Sequence, residues 1–217
     1  MNSTDSALLE RCARIGTSTW SDALDELGIA GVIRGLPHRS GQGRFAAFAM
    51  TVRETTGALG THALADFAVA KFLGTIEPGQ VLMIDMAGAE VSSFGGMAAL
   101  ATVRRHAAAV VIDGACRDLD DIRRSGLWLA SRHVTPTSGK RRAKVESIGE
   151  PVTIGGVGVR AGDLVIGDET GILCVPRGAL ERALARAEEM VALDQQIEAA
   201  LKNGRSFGEA TETTGYV

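Results

Sequence analysis

The sequence predicts a mixed α/β protein in which buried strands alternate with helices. Three short apolar stretches have the length and composition of buried strands, at residues 80–86, 108–113 and 127–131. The segments between them have helical periodicity, at residues 95–106 and 117–125. Strands that alternate with helices in this way form parallel pairs covered by helices.

Two helices are predicted before this core. The first is capped by Thr4 or Asp5 and ends at Gly16, and the second follows a possible cap at residues 17–19 and ends at Gly28. A short apolar strand at residues 45–52 follows, and then a helix at residues 62–72 that Gly74 closes.

The second half of the chain has a different pattern. Lys140, Arg141 and Arg142 form a polar loop. Short strands with glycine turns are predicted after it, at residues 152–154, 157–159, 164–166 and 172–175. They favour an antiparallel or mixed arrangement. A long amphipathic helix at residues 176–203 ends at Gly204.

Composition excludes several classes of function. The 217 residues suit one domain, and a net charge of −3 with 4% aromatic residues argues against nucleic-acid binding. Three well-separated cysteines favour a reducing compartment. No signal peptide and no membrane-spanning apolar run is visible, so a cytoplasmic protein is expected.

Residues 110–118 are the strongest candidate for a functional site. A buried strand is expected to run into a tight turn at Asp113 and Gly114 and then into a helix. Arg117 could bind a carboxylate or a developing oxyanion, and Asp118 could bind a divalent cation. The alternative is structural, because acidic residues in the first turn of a helix are favoured by the helix dipole alone.

A second candidate segment opens the preceding helix. Gly95 and Gly96, followed by Met97 and Ala98, leave backbone N–H groups accessible to an anion. A simple loop-to-helix turn is the alternative. Adjacent parallel strands would bring this segment and Arg117 to the same edge of the sheet.

These two segments, together with residues 17–24 (TSTWSDAL), resemble the RraA-like proteins. That family includes metal-dependent 4-hydroxy-4-methyl-2-oxoglutarate and 4-carboxy-4-hydroxy-2-oxoadipate aldolases and the regulator of ribonuclease E activity. The resemblance implies one swivelling β/β/α domain spanning residues 1–217, with a core at about 10–205 and a polar tail at 205–217. It also implies a homotrimer or hexamer.

The resemblance further implies roles for individual residues. Asp118 would bind Mg²⁺ or Mn²⁺, and Arg117 would bind the keto oxygen of a small 2-oxo acid. The backbone of Gly95, Gly96, Met97 and Ala98 would bind its carboxylate. The expected activity is cleavage of a 4-hydroxy-2-oxo acid to pyruvate, with oxaloacetate decarboxylation as a side activity.

The lysines agree with a metal-dependent route, which is the alternative to an imine for stabilising a pyruvate enolate. None of them follows a buried strand of the predicted α/β core; they stand at positions 71, 140, 144 and 202. One departure from the aldolases is Gly96, where those proteins share an acidic residue. A further acid is expected from a neighbouring subunit, with Asp194 and Glu198 as candidates.

Two other readings remain. The first is a non-catalytic regulator that binds a ribonuclease or another protein partner, which Gly96 and the basic loop at residues 140–142 favour. The second is a methyltransferase, because some members of the family are labelled demethylmenaquinone methyltransferase-like. That activity requires a glycine-rich nucleotide turn after an early strand, which the sequence lacks.

Overall fold

The computed structural model describes residues 3–212. The helices are α1 (Ser3–Arg14), α2 (Thr17–Glu26), α3 (Val69–Thr75), α4 (Gly96–Arg104), α5 (Leu119–Ser125), α6 (Leu180–Lys202) and α7 (Phe207–Thr211). The strands are β1 (Val32–Ile33), β2 (His38–Ser40), β3 (Phe45–Thr56), β4 (Val81–Asp85), β5 (Ser92–Phe94), β6 (Ala109–Cys116), β7 (Leu129–Val134), β8 (Ala143–Ile148), β9 (Val152–Ile154), β10 (Val157–Val159), β11 (Leu164–Gly167) and β12 (Ile172–Val175). Short 3₁₀ helices lie at Leu64–Asp66 and Arg177–Ala179.

One large mixed sheet organises the described residues. Its strand order is β1-β12-β11-β3-β4-β6-β7-β2, with β5 added beside β6 and β8 beside β3. The central strands β3, β4, β6 and β7 are parallel, and Val52, Ile84 and Ile112 are aligned across three of them. The outer pairs are antiparallel, and β9 and β10 form a separate hairpin. The prediction of a mixed α/β fold is confirmed.

Both faces of the central sheet are covered, which is why its strands are apolar throughout. On one face, side chains of α3, α4 and α5 pack against the strands around Phe72, Phe94 and Ile122. On the other face, the β9–β10 hairpin packs with Trp128 and the aligned residues of β4 and β6. The carboxyl ends of the parallel strands therefore open between the two layers.

The N-terminal helices and the long C-terminal helix pack together against the antiparallel strands. Trp20 is fully buried there, and its indole N–H donates to the Cys12 carbonyl at 3.2 Å. The second helix, however, begins after Gly16 rather than after a side-chain cap at residues 17–19. Thr17 instead uses its N–H and hydroxyl to donate to the Asp168 carboxylate, at 2.9 and 2.7 Å. This contact joins α2 to the β11–β12 turn.

The helix predicted at residues 62–72 is wrong as one continuous element. The chain forms a 3₁₀ helix at Leu64–Asp66 and then α3, which contains Gly74. The Asp66 carboxylate accepts from the Ala63 N–H at 2.8 Å, which closes the short turn locally. Helical spacing alone does not show that a segment is divided into two short turns.

The tight turn predicted at Asp113 and Gly114 is also wrong. Strand β6 continues through both residues to Cys116, because β5 and β7 pair with it there. Gly114 provides close packing instead, since a Cβ at this position would lie 2.7 Å from Met86. The chain turns only at Arg117 and Asp118.

Three further differences concern the second half. The sequence did not indicate strand β8, which follows the predicted loop at residues 140–142 and pairs with β3. The long C-terminal helix starts with a 3₁₀ helix and becomes α-helical at Leu180. The segment predicted as a polar tail contains α7, which Ser206 and Glu209 stabilise with a capping box. Residues 213–217 lie outside the described part.

Among the described residues, no helix has the length and apolar character needed to cross a lipid bilayer.

Candidate active site

The two candidate segments meet at the carboxyl edge of the sheet. Strand β5 runs parallel to β6, with Phe94 beside Cys116, and the Arg117 N–H donates to the Phe94 carbonyl at 3.0 Å. Helix α4 follows β5, and α5 follows β6. The start of α4 therefore lies against Arg117 and Asp118, as adjacent parallel strands predict.

Asp118 has the backbone conformation of a specialised position. Its φ of 54° and ψ of 44° are left-handed, which costs a non-glycine residue roughly 1–2 kcal/mol. Asp118 precedes α5, its side chain does not cap that helix, and the first-turn acids are Asp120 and Asp121. The carboxylate instead accepts from the Gly96 N–H at 3.2 Å. The side chain of Asp118 therefore contacts the start of α4 and does not form a capping hydrogen bond with α5.

Arg117 lies beside this carboxylate. Its Nε is 3.5 Å from Asp118 Oδ2, and both side chains are partly exposed. A guanidinium has several donors in one plane, so an ion pair through Nε is compatible with binding an oxygen of a ligand through the terminal nitrogens. The pair thus places a cation and an anion side by side at the edge of the sheet.

The glycines at the start of α4 are required by close contacts. A Cβ at Gly95 would lie 2.6 Å from Asp118 Oδ2 and 3.0 Å from Arg117 Cγ. A Cβ at Gly96 would lie 2.6 Å from the Cβ of Asp121 and 2.9 Å from its Oδ2. The Asp121 side chain, which pairs with Arg124, thus occupies the space that a side chain at position 96 would need.

The backbone N–H groups at this helix start are not equivalent. The Gly96 N–H is engaged by Asp118. Those of Met97 and Ala98 lie in the first turn, where the helix itself provides no acceptor. The anion cradle at residues 95–98 stays a prediction, in which the N–H groups of Met97 and Ala98 are the donors that the helix itself does not use.

A cleft of about 140 Å³ joins these groups. Besides the candidate residues, it is lined by two apolar and two hydroxyl side chains, Phe67, Val69, Ser92 and Ser93. A larger cleft of about 280 Å³ lies beside α2 and β12, but it contains none of the predicted site residues. The smaller cleft is the candidate active site because of the residues that line it, and not because of its volume.

The donor set at Asp118 fits a magnesium-like cation. Its described polar contacts use Oδ2, which leaves the carboxylate with further acceptor capacity. No group of three or more His, Cys, Asp or Glu side chains that could hold a metal occurs among residues 5–212. Mg²⁺ is commonly held by one or two carboxylates and completes its shell with water and substrate oxygens. One aspartate at an open cleft is compatible with that mode.

Several other candidates lie away from the cleft. Cys116 is buried, and burial raises the pKa of its thiol, which agrees with a packing role and not with a nucleophile. Asp194 and Glu198 are on α6, where Glu198 pairs with Lys202 at 2.6 Å. Neither of these α6 acids lines the cleft within the same chain.

Sequence reasoning missed Glu54. It lies on β3, only 3% exposed, and burial raises the pKa of its carboxyl to about 7. The Ser93 hydroxyl, which lines the cleft, opposes this shift. A glutamate just beyond the apolar stretch at residues 45–52 was the available signal, but the predicted strand ended before it.

Comparisons with known proteins identify the family of this chain. The family model RraA-like, described as Aldolase/RraA, matches residues 17–174. The chain is similar to a Halalkalibacterium halodurans protein named "Putative 4-hydroxy-4-methyl-2-oxoglutarate aldolase", 28% identical over 190 residues, which cover 87% of this chain and 86% of that protein. It is also similar to the 4-hydroxy-4-methyl-2-oxoglutarate aldolase of Thermus thermophilus, 32% identical over 109 residues, which cover 50% and 66% of the two proteins.

A solved structure supports the fold. RraAS2 of Streptomyces coelicolor, described as an unusual member of the RNase ES inhibitor RraA protein family, has a TM-score of 0.77 with this chain at 24% identity. The similarity covers 92% of this chain and 96% of that structure.

Proposed function

Because this chain belongs to the RraA-like family, we propose that it is a divalent-metal-dependent lyase that cleaves a 4-hydroxy-2-oxo acid to pyruvate. The substrate class is that of 4-hydroxy-4-methyl-2-oxoglutarate, which the names of its relatives support. The observation that carries the proposal is the convergence of Arg117, Asp118 and the start of α4 on one cleft.

The reaction breaks the C3–C4 bond of the substrate, makes C4 a carbonyl and leaves pyruvate enolate. In the proposed roles, Arg117 donates hydrogen bonds to the keto oxygen on which negative charge develops. The Met97 and Ala98 N–H groups bind the carboxylate at the positive end of α4, and the missing side chains of Gly95 and Gly96 let Arg117, Asp118 and Asp121 pack against this helix start. Asp118 would hold Mg²⁺ or Mn²⁺, which when bound supplies Lewis-acid stabilisation of the developing charge.

Asp121 is proposed to take the place of the acidic residue that the aldolases have at position 96. Its carboxylate lies where a side chain at Gly96 would otherwise be. Its side chain is partly exposed, which keeps it accessible to water. The acid would thus come from α5 instead of α4.

The test is pyruvate release from 4-hydroxy-4-methyl-2-oxoglutarate and from oxaloacetate in the presence of Mg²⁺. We expect EDTA to abolish it, Mg²⁺ to restore it, and Asp118→Asn to lower kcat/KM on the order of 100-fold or more. Asparagine tolerates the left-handed backbone, so this variant removes the charge while it preserves the fold.

Asp120→Asn is the matched control, because Asp120 is also acidic, belongs to the same helix and does not line the cleft. It should keep wild-type activity. Turnover that resists EDTA and Asp118→Asn would contradict the metal-dependent lyase, as would the absence of turnover in the wild-type protein.

We further propose a homotrimer or hexamer in which a neighbouring subunit completes the site. Met97 and Leu100 on α4 are 76% and 50% exposed beside the cleft, and apolar side chains in such positions favour a protein contact. The mass in solution, measured by light scattering, tests this assembly.

The exposed apolar side chains of Met97 and Leu100 also favour a second candidate function. This is a non-catalytic regulator that binds a ribonuclease or another protein. Capture of a ribonuclease by this chain, with no turnover of either oxo acid, would support the regulator against the lyase.

A further inference from the structure

Glu54 is a buried acid at the same edge of the sheet as the cleft. The parallel pairing of β3 with β4 ends at Arg53 and Asp85, so Glu54 lies just past that ladder. The residue is 3% exposed. Neither carboxyl oxygen accepts a hydrogen bond of normal geometry from the described residues. Such an orphaned carboxyl is rare in folded proteins, because burying a charge without a partner is unfavourable.

Among the residues that the structure describes, no charged side chain forms a hydrogen bond with the Glu54 carboxyl. Successive strand residues face opposite sides, so Glu54 shares the face of Val52, and its neighbour across the pair is Val145. Thr55, on the opposite face, contacts Glu146 at 2.8 Å, and Glu146 pairs with Lys144. Charged residues on the strands and turns that flank this part of β3 are Arg53, Asp66, Asp85, Arg117, Lys144 and Glu146, and none of them is a cause of the shift in the pKa of Glu54.

Ser93 connects this acid to the cleft. Its hydroxyl lowers the pKa of Glu54, although burial outweighs it and holds the value at about 7. Ser93 also lines the cleft together with Arg117 and Asp118. The hydroxyl donates to Met86 Sδ at 3.6 Å, and because a thioether is a weak acceptor, this contact competes only weakly with a hydrogen bond to a carboxyl.

We propose that Glu54 is a proton-relay residue that exchanges one proton with the bound 2-oxo acid through the Ser93 hydroxyl. This inference rests on the proposed lyase function. It gives a role to a carboxyl that packing alone does not explain, because a glutamine or leucine would fill the same space without an unpaired acid.

The relay balances the reaction. In aldol cleavage, ionised Glu54 takes the proton of the 4-hydroxyl by way of Ser93, while the C3–C4 bond breaks and pyruvate enolate forms. Protonated Glu54 then returns that proton to C3, the C–H bond forms, and the C2 carbonyl of pyruvate is restored. In oxaloacetate decarboxylation there is no hydroxyl proton to take, so Glu54 must start protonated.

The two reactions should consequently depend on pH in opposite directions. With one relay group, kcat for aldol cleavage is expected to rise through about pH 7, and kcat for oxaloacetate decarboxylation to fall through the same range. Glu54→Gln should remove both pH-dependent limbs, the rise of kcat for aldol cleavage and its fall for decarboxylation. It should also lower each kcat on the order of 100-fold. A merely structural role would lower stability and leave the shape of both profiles unchanged.

Two further variants complete the experiment. Ser93→Ala should also remove both limbs while Glu54 is intact, so the relay stays testable if Glu54→Gln does not fold. Glu146→Gln is the matched control on the opposite face and should keep both limbs. Limbs that persist in Glu54→Gln or Ser93→Ala overturn the relay alone. Absence of pyruvate release by the wild-type protein overturns the lyase and the relay together.

Discussion

At the scale of single residues, position 96 shows how one glycine depends on a distant side chain. Gly96 opens α4, and the side chain of Asp121 on α5 fills the space beside it. An acid could therefore stand at position 96 or at position 121, but both cannot be accommodated without movement.

This exclusion gives a prediction for Gly96→Asp. The variant should lose about 1–3 kcal/mol of unfolding free energy, because its Cβ collides with Asp121 and a second carboxylate is added beside the first. Asp121→Gly in the same chain should recover most of that loss, since it removes the colliding Cβ. Urea unfolding of the two single variants and the double variant measures the coupling. Additive effects of the two substitutions would contradict the shared space.

Several residues of the candidate site could be found from the sequence, and others could not. Arg117 and Asp118 follow a recognisable buried strand, and paired glycines mark the start of α4. Nothing in the local pattern indicates that Glu54 is buried or that Asp121 faces Gly96, because both facts depend on contacts between segments far apart in the chain.

At the scale of elements, two aspartates fasten the β9–β10 hairpin to the sheet. Asp85, at the end of β4, accepts from the Thr153 N–H at 3.0 Å. Asp113, inside β6, accepts from the Gly155 N–H and from Arg132 Nε, both at 2.6 Å. Both carboxylates thus form structural contacts with the hairpin. Asp113 forms its contacts from within strand β6 and not from a turn.

Asp113→Ala should therefore destabilise the fold. It leaves the Gly155 N–H and the partly buried Arg132 without their acceptor, and we expect a loss of about 2–4 kcal/mol. Chemical denaturation followed by circular dichroism provides the measurement. Glu188→Ala, which breaks an exposed pair with Arg11, is the control and should change stability by less than about 1 kcal/mol. Equal losses of stability in the two variants would contradict the role of Asp113 in fastening the β9–β10 hairpin.

At the scale of the whole molecule, Glu54 links stability to pH. Burial raises the pKa of its carboxyl from 4.5 in the unfolded chain to about 7. Below about pH 4.5 the group is protonated in both states. Between about pH 4.5 and 7 the unfolded chain releases the proton while the folded chain retains it, so stability falls as pH rises.

Glu54→Gln should remove this fall. Relative to the variant, the wild-type protein is expected to lose roughly 3 kcal/mol of unfolding free energy between pH 4 and pH 8, with no further change above that range. Urea unfolding of both proteins across this range gives the comparison, and subtracting the two curves cancels other titrating groups. A constant difference between them would show that Glu54 titrates normally.

The sequence by itself determined the alternation of strands and helices, the two N-terminal helices, the long C-terminal helix and the pair Arg117–Asp118. Local periodicity and the residues that begin and end each element indicate these features. Only the tertiary structure decided that β6 continues past Asp113, that Asp121 fills the space beside Gly96 and that Glu54 lies buried near the cleft. Each of these depends on which distant segments pack together, and neither local periodicity nor residue type at one position carries that information.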